Sequence, residues 1–140
     1  LQQLELPVPF HDEAKRSVNG SKIVVVGVSF KPDVRDARNS PAADVVHLLR
    51  GEGAEVRFVD PHVMKFTDAK GIAVERIDTL TSAIAWADLA VVVTPHKALD
   101  LGELFASKRL VVDTVNASAR FPHDRSLVLR LGDGSARPGR

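Results

Sequence analysis

The chain has 140 residues, 44% of them hydrophobic and 26% charged, which suits a single domain with a core of its own. A formal net charge of +1 gives no global attraction for nucleic acid or an anionic membrane, so any anion binding has to come from a local cluster. With no cysteine, disulfides, thiolate metal sites and a cysteine nucleophile are excluded within this chain.

Residues 1–20 are expected to be a lead-in from a preceding region. Pro7 and Pro9 interrupt any helix there, and DEAKRS (12–17) suits a short helical turn before Asn19-Gly20. The start LQQLELPVPF lacks the basic segment and continuous apolar core of a signal peptide. Because the chain begins with Leu rather than Met, a piece of a longer protein is expected. No apolar run approaches the ~20 residues that span a bilayer, and the cytoplasm is the expected compartment.

KIVVVGV (22–28) is an unalternated β-branched run, the pattern of a central parallel strand buried on both faces. Ser40-Pro41 predicts a helix start, with Ser as the cap and Pro at the first position. Ala42, Val45, Val46 and Leu49 then form one apolar stripe, and Gly51 and Gly53 end the helix. AEVRFVDP (54–61) is the next strand, closed by Asp-Pro, and GIAVER (71–76) is a short one. TLTSAIAWAD (79–88) predicts a helix capped by Thr79 or Thr81, and DLAVVVTPH (88–96) another buried strand. LGELFAS is a short helix, KRLVVDT (108–114) a strand, and SLVLRLG (126–132) the last strand. The tail DGSARPGR (133–140) has a disordered composition.

Helices alternating with unalternated strands predict an α/β domain over 21–132. The expected form is a Rossmann-like three-layer sandwich, a mostly parallel sheet with helices on both faces. No internal repeat or linker divides it.

Open sheets of this kind bind ligands at the carboxyl ends of their strands. The loop after the first strand, FKPDVRDARNSP, carries Lys31, Arg35 and Arg38 with Asp33 and Asp36. A dinucleotide turn needs G-x-G-x-x-G so that backbone can approach a pyrophosphate. Here Gly27 is followed by Val28-Ser29-Phe30-Lys31, with one glycine of the three. Two readings remain: a phosphate-facing loop built from side-chain cations, or charges that pair with one another on a wet surface.

The five histidines lack metal-like spacing, so no metal site is expected. His96 follows a strand end, where a turn residue or a ligand-facing one both fit. Asp60 suits an Asp-Pro turn better than a ribose-binding acid. Trp86 suits the core or a domain contact. Aromatics are 5% of the chain and do not interleave with basic residues, which disfavours nucleic-acid stacking.

Residues 22–63 carry Phe30-Lys31, then Asp36-Ala37-Arg38-Asn39-Ser40-Pro41, then Asp60-Pro61. In that order they resemble the C-terminal domain of the UDP-glucose/GDP-mannose dehydrogenase family. VVVTPH and VVDT resemble its fourth and fifth strands, and the likeness runs over roughly residues 15–132.

The resemblance implies a nucleotide-sugar (UDP-sugar) binding domain of a dehydrogenase that oxidises the sugar C6 alcohol to a carboxylate, reducing two NAD, in polysaccharide precursor synthesis. NAD would be held mainly by an absent N-terminal domain, and the catalytic Cys by an absent central one. Those two domains would be the partners, in a homo-oligomeric parent. Phe30 and Lys31 would be substrate-side residues and Arg38 a cofactor-side one, with Asp36 orienting the cations and Arg35 unassigned. No catalytic residue is expected here, and the isolated chain should be inactive. UDP-sugar members carry a basic residue two positions after the Asp that ends the fifth strand. Val115 stands there in this chain, with Arg120 available from the same loop.

A stand-alone binding module of the same fold is the alternative. A flavodoxin-like or response-regulator domain is disfavoured, since no acidic cluster follows the first strand.

Overall fold

The structure, a computed structural model, describes residues 18–33 and 40–130. The expected helical turn at 12–17, the disordered tail, and Arg35, Asp36 and Arg38 lie outside the described residues.

Six strands form one sheet: β1 (Lys22–Val26), β2 (Glu55–Val59), β3 (Glu75–Arg76), β4 (Leu89–Val92), β5 (Leu110–Asp113) and β6 (Val128–Arg130). Their order is β3-β2-β1-β4-β5-β6, and every neighbouring pair is parallel. The chain builds outward from β1 in one direction and then restarts beside β1 with β4. That reversal opens a crevice beyond the carboxyl ends of β1 and β4.

Helix α1 (Pro41–Gly51) connects β1 to β2, α2 (Leu80–Trp86) connects β3 to β4, and α3 (Leu101–Phe105) connects β4 to β5. A 3-10 turn, Ala117–Arg120, follows β5. The stripe Ala42, Val45, Val46 and Leu49 is buried as its spacing predicts. It packs with Ile23 and Val25 of β1 and with Val56 and Phe58 of β2. The alternate β1 residues, Val24 and Val26, face a second core with Leu80 and Ala83 of α2 and Leu101 and Leu104 of α3. Helices therefore cover both faces, and β1 is buried on each side.

The strands are shorter than the stretches the sequence suggests, and for β3 and β4 the reasons are local. Residues 71–74 belong to a small hairpin rather than to the parallel ladder. Thr67 bridges Ala73 in antiparallel sense, and the Val74 amide donates to the Phe66 carbonyl at 2.9 Å. The Asp68 carboxylate accepts the Lys70 and Ile72 amides and holds the hairpin's turn. Only Glu75 and Arg76 are left to pair with β2. β4 stops at Val92 because the Val93 and Thr94 amides both turn to the Val26 carbonyl, at 3.0 and 3.3 Å.

Gly27 sits at that meeting point with φ +80°, and a Cβ there would drive into the Thr94 carbonyl. Only glycine lets the chain leave β1 this close to the end of β4.

Candidate functional site

The crevice at the sheet reversal is organised by two buried polar residues. Asp60 ends β2, His96 follows β4, and both are almost wholly inaccessible to solvent. Asp60 Oδ2 accepts the amides of Val28 (2.8 Å) and Ser29 (3.3 Å) and contacts His96 Nε2 at 2.8 Å. Its Oδ1 accepts the amides of His62 (2.8 Å) and Val63 (3.1 Å). Burial disfavours ionisation of this carboxyl, but the bonds from His96, Val28 and His62 outweigh it and hold the group below its ordinary range. The expected Asp-Pro turn is present through Oδ1. The second oxygen does something the spacing did not reveal: it ties three strand ends together.

The protonation pattern of His96 follows from its partners. Nδ1 accepts the Asp33 amide at 2.8 Å, so it carries no proton. Ser29 Oγ lies 3.1 Å from Nε2 and gives its own proton to the Lys31 carbonyl at 2.7 Å, so toward the ring it can only accept. The ring proton is therefore on Nε2, shared between Asp60 and Ser29. His96 is neither a plain turn residue nor a free ligand group but the hub of this network.

The hub fixes the loop expected to carry binding residues. The Ser29 carbonyl accepts the Thr94 hydroxyl at 2.8 Å and the Ser40 hydroxyl at 3.4 Å. Asp33 takes a left-handed conformation (φ +64°) and accepts the Lys97 amide at 2.8 Å. Between these anchors Phe30 is 51% exposed and Lys31 is exposed. Phe30 and Lys31 are thus exposed side by side on the loop that leaves β1, while Arg38 lies outside the described residues.

A cleft of about 420 Å³ adjoins the loop, lined by Pro32, Asp33, Lys97, Leu99, Arg120 and Phe121 among others. Its lining joins apolar Leu99, Leu101 and Phe121 to the cations Lys97 and Arg120 and the carboxylate of Asp33. Arg120 reaches this cleft, whereas Val115 is exposed and absent from its lining. Val115 lies at the turn where the buried Asp113 carboxylate accepts the amides of Val115, Ala117 and Ser118.

Asp33, His62 and His96 bring ligand-type atoms within 4.8 Å of one another, although they are far apart in sequence. Both ring nitrogens of His96 are already engaged by Asp60, Ser29 and the Asp33 amide, and His62 meets the His96 ring edge-on with centroids 4.7 Å apart. A dinucleotide does not fit the first turn either. The amides after Gly27, which a pyrophosphate would need, are taken by Asp60. α1 begins at Pro41, and its cap Ser40 donates to the Ser29 carbonyl, so the helix start lies beside this turn while Asp60 occupies the turn's own amides.

Sequence reasoning placed the loop and missed its foundation. The available signal was a polar residue, each beside a proline, closing the apolar runs of the two strands that flank β1.

Residues 24–120 match the model of the UDP-glucose/GDP-mannose dehydrogenase family, UDP binding domain. A UDP-glucose 6-dehydrogenase of Rhizobium meliloti (strain 1021) is 37% identical over 107 residues, covering 71% of this chain and 24% of that protein. A UDP-N-acetyl-D-mannosamine dehydrogenase of Methanocaldococcus jannaschii is 32% identical over 123 residues, covering 81% of this chain and 27% of that protein. The chain thus spans about a quarter of the length of these relatives. Among solved structures, a UDP-D-ManNAc dehydrogenase from Pyrococcus horikoshii aligns with TM-score 0.68 at 24% identity. That alignment covers 91% of this chain and 29% of the other.

Proposed function

Since the chain belongs to the UDP-glucose/GDP-mannose dehydrogenase family and matches its UDP binding domain, we propose that its crevice binds the nucleoside diphosphate of a UDP-sugar inside an NAD-dependent 6-dehydrogenase. That parent would oxidise the sugar C6 alcohol to a carboxylate and supply polysaccharide precursors. The observation that carries the reading is the exposed Phe30-Lys31 pair, on a loop leaving β1 that a buried network anchors beside the cleft lined by Pro32 and Asp33. A point cation on a fixed loop suits a diphosphate oxygen, and an exposed aromatic ring suits the apolar part of a nucleotide. Arg120, which lines the cleft, offers the cation that Val115 does not.

In this reading Arg38 faces NAD, which another domain holds. The satisfied amides of Val28 and Ser29 argue against the dinucleotide binding to this turn, so this chain's part is to grip substrate. With no cysteine in its sequence it forms no thiol adduct and does not turn over alone.

Calorimetric titration of the chain with UDP and with uridine tests the proposal. UDP should bind tighter than uridine, and Lys31→Ala should weaken UDP about tenfold, roughly 1.4 kcal/mol, with a much smaller effect on uridine. Equal affinities for UDP and uridine would overturn the diphosphate reading. NADH formed by the purified chain alone from UDP-glucose and NAD would overturn the claim that it is inactive in isolation.

A further inference from the structure

We propose that His96 is a positioning residue for substrate binding: its Nδ1 holds the Asp33 end of the Phe30-Lys31 segment, and Asp60 keeps the imidazole in the tautomer that can do so. The inference rests on the nucleotide reading of the crevice, but its physical core stands on the network alone.

Four short links run in series. Asp60 Oδ2 fixes the His96 ring through Nε2 at 2.8 Å. His96 Nδ1 holds the Asp33 amide at 2.8 Å. Asp33 Oδ1 in turn takes the Lys97 amide at 2.8 Å, which closes the loop onto the residue after His96. At the other end Ser29 Oγ, beside Nε2, holds the Lys31 carbonyl at 2.7 Å.

The loop is thus clamped on both sides of Phe30-Lys31-Pro32, and the imidazole touches both clamps. Phe30 and Lys31 are themselves exposed, so nothing beneath their side chains is expected to orient them as strongly as the backbone beneath. Asp33 also occupies a left-handed conformation that costs a non-glycine residue about 1 kcal/mol or more. That conformation needs an outside partner to hold it, and the Nδ1 lone pair and the Lys97 amide are the partners seen.

The arrangement depends on one tautomer. A ring protonated on Nδ1 would present a donor to the donor at Asp33, and the clamp would open. A carboxylate at Asp60, itself held by backbone amides, selects the Nε2–H form. This is why an acid that binds no ligand is buried beneath a binding loop.

The test separates the two faces of the imidazole. In His96→Gln the amide reaches the Asp60 side but offers no acceptor at the δ position. In His96→Asn the amide oxygen falls near Nδ1 and can still accept the Asp33 amide. Hydrogen exchange at Asp33 in the ligand-free chain should rise at least tenfold in His96→Gln and much less in His96→Asn. UDP affinity should follow the same order, about tenfold weaker for the first and about threefold or less for the second. Equal effects of the two substitutions on both readouts, or no effect of either, would overturn the proposal.

Nitrogen-15 NMR of the unsubstituted chain gives a check that needs no variant to fold. A pyridine-type Nδ1 and a pyrrole-type Nε2 at neutral pH are expected for His96, and the reverse tautomer would overturn it. If the unsubstituted chain fails to bind UDP, the nucleotide reading falls. The exchange and tautomer measurements still decide the positioning claim.

Discussion

At the scale of single residues, the clearest electrostatic consequence lies at Asp68. Its side chain is 3% exposed and pairs with Arg50 at 2.9 Å, and Arg50 also donates to the Ala73 carbonyl. Burial pushes the Asp68 carboxyl up, but the amides of Ile72 and Lys70 and the Arg50 guanidinium pull it further down, below its ordinary 3.8. A carboxyl held low in the folded state binds protons more readily once unfolded, so its contribution is complete above pH 3.8 and is lost as pH falls through the lower folded value. Asp68→Asn should cost about 2 kcal/mol at neutral pH, the scale of a lost charged hydrogen bond. Urea unfolding at pH 7 and at pH 3 checks this, because the gap between the variant and the parent should narrow at pH 3. A gap that stays constant would mean that the ion pair contributes nothing. Asp60 has the same sign and should add to the acid sensitivity of both proteins.

At the scale of elements, α1 is the piece whose formation is most fully explained by local chemistry. Ser40 Oγ accepts the Ala42 amide at 3.1 Å, Pro41 needs no hydrogen-bond acceptor, and four spaced apolar residues enter the core. Because Ser40 also donates to the Ser29 carbonyl, the cap joins the helix to the loop after β1. Ser40→Ala should therefore lower stability by about 1 kcal/mol, measured by thermal or urea unfolding, and a change below a few tenths would show that the cap is dispensable. The same element marks how far sequence reasoning reaches. The period of Ala42, Val45, Val46 and Leu49, the unbroken Val24–Val26 run and the Thr79 cap are signals carried by near neighbours, and each matches the structure. The hairpin at 66–74 escaped because Asp68 builds it from hydrogen bonds that no periodicity records. The Asp60–His96 hub escaped for a related reason, since its members are 36 residues apart and meet only once β2 and β4 flank β1. Lys31 was legible as a cation of the loop after β1 and Phe30 only through the family resemblance, but what anchors their loop was not.

At the scale of the molecule, β1 belongs to both cores. Ile23 and Val25 point into one and Val24 and Val26 into the other, and all four are 0% exposed. Neither layer can come apart while the other keeps a properly buried β1, so the described domain should unfold as one unit. A single urea transition with coincident fluorescence and circular dichroism is expected, with Trp86 as the fluorescent probe on the face of the second core. Two separated transitions would show that the layers are independent. The carboxylate of Asp60 bears on this level as well, since it supplies the negative charge that the amides after β1 would otherwise draw from a phosphate. The fold thus carries its own internal counter-ion in the turn where sheets of this architecture recruit one from solution.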